Sequence, residues 1–93
     1  MISPIKPIHA PHYDGVVLYV YHANAGEGLP RHDHVYSHLT MCTAGSCVIR
    51  KENKEVVVTK ETQPINLVAG EWHEIEALED GTVFVNVFAE GKY

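Results

Sequence analysis

The sequence lacks the features of several common functional classes. It has 7 Lys and Arg against 12 Asp and Glu, which gives a net charge of −5. The basic pair Arg50-Lys51 is followed at once by Glu52, and no larger basic cluster exists, which argues against nucleic acid or an anionic membrane as a partner. No apolar run approaches the roughly 20 residues that span a bilayer, and residues 1–12 do not resemble a signal peptide. A cytoplasmic location is the default expectation.

Cysteine is also scarce, with two in the chain. Cys42 and Cys47 flank a plausible turn at Ala44-Gly45, a spacing that leaves a disulfide across a hairpin open. Without a secretion signal, two free thiols are the expectation. Apolar residues nowhere recur at helical spacing over three turns. The sequence also lacks a Ser-His-Asp order, a glycine-rich phosphate loop and paired inward carboxylates.

What is present is a series of short apolar segments separated by turns. Residues 1–14 contain three of the prolines and are predicted to form an extended arm. Residues 15–93 contain about seven predicted strands with turn signals every 8–12 residues, the pattern of an all-β sandwich or barrel. We predict a loop over 23–30, which contains glycine, asparagine and proline, and a strand over 32–42.

Histidine is abundant, with seven in the chain. His32, His34 and His38 lie within seven residues, and an unbroken strand would present all three on one face because side chains two apart point the same way. His34 and His38 could instead be a helical pair, which would exclude His32. His73 follows a turn on a later strand. If the three clustered histidines bind a metal, His73 is the natural fourth ligand. His9, His12 and His22 are expected on the surface.

A set of neutral imidazoles suits one divalent transition metal ion, such as Fe, Mn, Ni, Cu or Zn, and suits Ca or Mg poorly. The sequence does not choose among these metals. Three neighbouring side chains are candidates for a substrate pocket. Tyr36 lies between two of the histidines, and Thr40 and Cys42 share the strand parity of His38. Plain packing explains each of these three equally well.

The histidine spacing resembles the first conserved motif of the cupin superfamily. The pattern is Gly26, five residues, His32-x-His34, three residues, His38, six residues and Gly45. The segment 68–73 resembles part of the second motif, since it keeps the glycine and the histidine. The chain departs from the family at three positions, with His38 for Glu, Val68 for Pro and Ala77 for Asn.

The resemblance implies a small jelly-roll-like barrel over 15–93 that holds one metal through His32, His34, His38 and His73. Similar small cupins catalyse oxidative cleavage, isomerisation or elimination of small oxygenated molecules. We favour a metal-dependent enzyme of the dioxygenase type over an isomerase or lyase. The alternatives are a non-catalytic module that binds or senses a small ligand and, third, a structural zinc site. A homodimer is expected from the proline-rich arm and the exposed apolar strands.

Overall fold

The computed structural model describes all 93 residues and contains strands and turns but no helix. The strands are β1 (Ser3–Pro4), β2 (His12–Tyr13), β3 (Val16–Ala23), β4 (Glu27–His32), β5 (His38–Ala44), β6 (Ser46–Lys51), β7 (Lys54–Thr59), β8 (Ile65–Leu67), β9 (His73–Ala77) and β10 (Thr82–Ala89). The prediction of an all-β fold is confirmed. The structure has no helix of the length and hydrophobicity that a membrane crossing requires.

The strands form two five-stranded sheets. The first sheet has the order β1-β4-β9-β6-β7 and the second the order β2-β3-β10-β5-β8. The chain passes from one sheet to the other at every connection except β2–β3 and β6–β7. Two stacked sheets linked in this way form a jelly-roll sandwich, whose inner faces enclose a single interior.

The interior follows from the period-2 alternation of strand side chains. In β9, His73, Ile75 and Ala77 are buried, whereas Glu74 and Glu76 between them are partly exposed. Inward residues from both sheets pack into one hydrophobic cluster. Its ten buried members are Tyr21, Ala23, Cys42, Cys47, Ile49, Val58, Leu67, Ile75, Ala77 and Phe84.

The N-terminal residues pair with both sheets of their own chain. β1 runs parallel to β4, β2 runs antiparallel to β3, and His9 forms an isolated bridge with Val20. These contacts tie residues 1–14 to one edge of each sheet. The division of the chain into an arm and a barrel at residue 15 stays a prediction.

The loop predicted over 23–30 is confined to residues 24–26, because β3 continues to Ala23 and β4 already begins at Glu27. Gly28 serves close packing and not a turn, since a side chain there would collide with the carbonyl oxygen of Ile75 on β9. A glycine inside a strand often marks such a close backbone approach. Pro30 lies at an irregularity in the pairing of β4 with β9 and is exposed, which is where a strand tolerates a missing donor.

The unbroken strand predicted over 32–42 is wrong. β4 ends at His32 in the first sheet and β5 begins at His38 in the second, so residues 33–37 cross between the sheets. The next connection crosses back at Gly45, which has a φ of 71° and where a side chain would collide with Thr82. Cys42 and Cys47 therefore lie in different sheets and do not flank a simple hairpin. Both are buried and free.

Candidate metal centre

Four histidines from three strands and one connection meet at one end of the interior. His32 at the end of β4 is paired in register with His73 at the start of β9, and their ring centroids are 4.4 Å apart. His38 begins β5, and His34 lies in the connection between β4 and β5. The His34 ring centroid is 4.6 Å from that of His32, 5.2 Å from that of His38 and 5.3 Å from that of His73.

Three of these residues form the tightest group. One ring nitrogen each from His32, His34 and His73 lies within 4.8 Å of the others. Metal–imidazole bonds of about 2.0–2.1 Å hold neighbouring ligand nitrogens roughly 3 Å apart, so a bound metal would draw these rings closer together than this outer limit. The His38 ring is 5.4 Å from His73 between centroids. The structure thus shows a three-histidine group with His38 next to it.

Backbone carbonyls orient three of the rings. Nδ1 of His32 lies 2.6 Å from the carbonyl oxygen of Pro30, and Nδ1 of His73 lies 3.2 Å from that of Glu71. Nδ1 of His38 lies 3.4 Å from the carbonyl oxygen of Leu39. Because a carbonyl can only accept, Nδ1 carries the proton in each neutral ring and Nε2 keeps its lone pair. Histidines that bind metals are commonly held in this way.

The free ring nitrogens indicate what the cluster could bind. Nε2 of His34, His38 and His73 is buried in each case and has no hydrogen-bond partner. A buried polar atom without a partner costs about 1–3 kcal/mol, so three such atoms in one cluster call for a common partner. The donor set contains nitrogen only and is neutral, which is the chemistry that first-row transition ions prefer. The residues present therefore fit a divalent transition metal.

Burial keeps these imidazoles neutral. Burial lowers the pKa of His73 to about 4, with the neighbouring His32 adding to the effect. Burial also lowers the pKa of His38 to about 4, against a smaller opposing effect from its hydrogen bond to the Leu39 carbonyl. The pKa of His34 is lowered by burial and then by His32. Protons therefore compete weakly for these nitrogens at neutral pH, which favours metal ligation.

A buried polar chain leads away from His38. The Thr40 hydroxyl lies 3.3 Å from His38 Nδ1 and donates to Oδ1 of Asn86 at 2.6 Å. Nδ2 of Asn86 donates to the hydroxyl of Tyr93 at 3.1 Å. Burial and then the adjacent Tyr93 raise the pKa of Tyr21 above its ordinary value. The Thr40 hydroxyl therefore faces His38 and Asn86 in the packed interior and does not face open space.

Asn86 and Tyr93 were missed in the sequence. Asn86 is the one polar residue within the apolar run Val83–Phe88, and it is fully buried. That isolated polar side chain was a usable signal, because a buried amide requires partners. Tyr93 gave no comparable signal, since the turn after β10 that includes Gly91, with a φ of 77°, brings it back to the histidines.

The other candidates lie outside the cluster. Tyr36 is 42% exposed, and its ring lies 5.7 Å from the ammonium group of Lys92. Cys42 belongs to the hydrophobic cluster, and its thiol donates to the carbonyl oxygen of Ala44 at 3.1 Å. His9, His12 and His22 are exposed.

Comparison with solved structures identifies the same architecture elsewhere. KdgF from Halomonas sp. matches with a TM-score of 0.75 at 14% identity, over 85% of this chain and 72% of that one. A cupin-2 domain protein from Shewanella frigidimarina matches with a TM-score of 0.72 at 9% identity, over 92% and 84%. A protein with a double-stranded β-helix domain from Klebsiella pneumoniae matches with a TM-score of 0.73 at 21% identity, over 92% and 74%.

No protein-family model and no curated protein matches the sequence. At these identities the structural matches establish the fold, and fold alone does not establish an activity. The two stacked sheets, their crossing connections and the solved neighbours agree with the resemblance drawn from the histidine spacing. The chain therefore has the jelly-roll fold seen in small cupins.

Proposed function

We propose that the protein binds one divalent transition metal ion through His32, His34, His38 and His73. The observation that carries this proposal is the set of three buried Nε2 atoms without partners, on His34, His38 and His73. His32 joins them because its Nδ1 is engaged by the Pro30 carbonyl, which leaves Nε2 as its ligand atom. Fe, Mn, Ni, Cu and Zn all accept such a set.

We further propose that the protein is a metal-dependent enzyme of the dioxygenase type that acts on a small oxygenated molecule. When bound, the metal would supply Lewis acidity or, if it is redox-active, oxygen chemistry. An isomerase or lyase also needs a side chain that moves a proton. No carboxylate belongs to the cluster, and Asp33, whose charge reaches His34, is exposed. This favours a reaction that does not depend on a carboxylate base.

The charge of the site supports an oxygen-bearing ligand. Four neutral imidazoles leave the full positive charge of a divalent ion uncompensated by protein carboxylates. An anionic or strongly polar oxygen on the ligand would therefore be attracted to the site. The same property would serve a module that holds such a molecule without changing it, which is the alternative function.

The first experiment is elemental analysis of tag-free wild type, His34→Ala, His38→Ala and His22→Ala. We expect about one equivalent of a transition metal in wild type and in the exposed-site control His22→Ala. His34→Ala should lose it. Retention in His38→Ala would define a three-histidine site. Wild type that takes up no metal even after reconstitution, or His34→Ala that loads as wild type does, would contradict the proposal.

The second experiment separates an enzyme from a binding module. The metal-loaded protein is incubated with diketones, phenols and hydroxy acids, and both oxygen consumption and the recovered compound are measured. Metal-dependent oxygen uptake with an altered product supports a dioxygenase. An altered product without oxygen uptake supports an isomerase or lyase, and a bound but unchanged compound supports the binding module.

A further inference from the structure

The space next to the histidines is filled by a side chain of the protein itself. The ring centroid of Tyr93 lies 4.5 Å from that of His34 and 5.6 Å from that of His38. On its other sides, the ring centroid lies 4.3 Å from that of Phe88 and 5.0 Å from that of Tyr19. Neither of the two surface depressions of the molecule is lined by any of the four clustered histidines. With Tyr93 in place, neither depression opens onto the cluster.

The hydroxyl end of the Tyr93 side chain meets a fixed polar group of the protein. Asn86 is fully buried, and its Oδ1 is engaged by the Thr40 hydroxyl. This fixes the amide so that Nδ2 donates to the hydroxyl of Tyr93 at 3.1 Å. The same donor would serve the hydroxyl of any ring that replaced Tyr93, and it would be left without a partner if nothing replaced it.

Few backbone hydrogen bonds hold the segment that carries Tyr93. Glu90, Gly91 and Lys92 are exposed. Glu90 donates its backbone N–H to Gly15 and Lys92 donates to Ala89, but no backbone hydrogen bond involves Tyr93. The ring is thus kept inside by its side-chain contacts alone. Rotation about residues 91–92 would withdraw it without breaking a strand.

We propose that Tyr93 stands in the ligand position of this site, and that the ligand is a small planar molecule with a hydroxyl group on a six-membered ring. Such a molecule enters when residues 91–93 swing outward. It packs between His34 and Phe88 as the tilted ring of Tyr93 does, and its hydroxyl accepts from Asn86. This ligand would bind beside the proposed metal site. The proposal rests on that function only because His34 and His38 form one wall of the ligand position.

The test uses phenol as the probe, with calorimetry on wild type, Tyr93→Ala, Tyr93→Phe and Tyr13→Ala. Tyr13 is 80% exposed, so its variant is a control that removes the same side chain elsewhere. Tyr93→Ala opens the position and should bind phenol at least about tenfold more tightly than wild type. Tyr93→Phe keeps a ring in place but loses the hydroxyl that Asn86 holds, so it should bind phenol more tightly than wild type and less tightly than Tyr93→Ala. In Tyr93→Ala, phenol should bind about tenfold more tightly than toluene, which lacks the hydroxyl.

A measurement on wild type covers the case in which Tyr93→Ala does not fold. Saturating phenol should abolish the nuclear Overhauser contacts between the rings of Tyr93 and Phe88. Contacts that persist in the phenol complex overturn the proposal, as does a folded Tyr93→Ala that binds phenol like wild type or binds toluene equally well. Each titration is run on protein as isolated and after chelation, with metal counted separately. Loss of phenol binding then overturns this inference alone, and absence of metal overturns the metal site alone.

Discussion

The two ends of the barrel interior are built from the same strands but carry different chemistry. On β9, His73 lies at one end, and Ile75 and Ala77 lie toward the other. On β10, Asn86 lies near the histidine end and Phe84 lies nearer the other end. On β5, His38 and Cys42 are arranged in the same way. One end is therefore polar and the other belongs to the hydrophobic cluster.

This comparison separates two roles within one small interior. Alternation along a strand decides which side chains point inward, but position along the strand decides which end they reach. The apolar end stabilises the sandwich by burial. The polar end contains buried nitrogens without partners, so it adds little stability until a ligand binds. Substitutions at matched positions on one strand should therefore have separable effects.

The largest expected effect is on metal binding in His73→Ala. His73 is 1% exposed and its Nε2 has no partner in the protein, so its removal deletes a proposed metal ligand together with one hydrogen bond to the Glu71 carbonyl. We expect stoichiometric metal binding to be lost, as measured by competition with a chromophoric chelator. In denaturant, the metal-free variant should lose less unfolding free energy than Ile75→Ala does, because removing the ring also removes a buried nitrogen without a partner. His22→Ala is the control, and a His73→Ala protein that binds metal as wild type does would contradict the site.

The converse change is Ile75→Ala, two residues along the same strand. Ile75 is fully buried in the hydrophobic cluster, and truncation of such a residue costs about 2–5 kcal/mol of unfolding free energy. Urea denaturation of the metal-free protein should show this loss. The metal stoichiometry of the folded variant should stay at that of wild type. Equal losses of metal and stability in both variants would show that the two ends are not separable.

A smaller loss is expected for Gly28→Ala. The added methyl group would collide with the Ile75 carbonyl across the β4–β9 pair, and forced shifts of this kind cost about 1–3 kcal/mol. Because this pair also places His32 opposite His73, metal affinity should fall together with stability. Denaturation and chelator competition measure the two effects. Unchanged stability would show that the backbone approach is not tight.

The smallest effect is expected for Thr40→Val, which keeps the shape of the side chain and removes the hydroxyl. His38 loses one neighbour of its Nδ1, and Asn86 loses its donor. Metal affinity should fall by about tenfold, the lower range for groups that orient a metal ligand. Thr43→Val, an exposed site on the same strand, is the matched control. An equal change in both variants would rule out a specific role for Thr40.

The fold class and the candidate histidines were predictable because both depend on local patterns. Short β-rich segments separated by turns indicate strands wherever they occur, and the close spacing of His32, His34 and His38 predicted that these side chains would lie together. The predicted mechanism of convergence was wrong. His34 reaches the others from a connection between sheets and not from one face of a continuous strand. The spacing was informative although its structural interpretation was not correct.

The sequence by itself determined that this protein is all-β, because the alternation of apolar and polar side chains is a property of neighbours along the chain. It also showed that histidine is abundant and that three of the seven histidines are clustered. The expected homodimer and cytoplasmic location stay predictions. Only the tertiary structure decided that His32 pairs with His73, that Asn86 joins Thr40, and that Tyr93 covers the cluster. These contacts join residues 41, 46 and 59 positions apart. They exist because the chain crosses repeatedly between two sheets, and no local pattern specifies where distant strands meet.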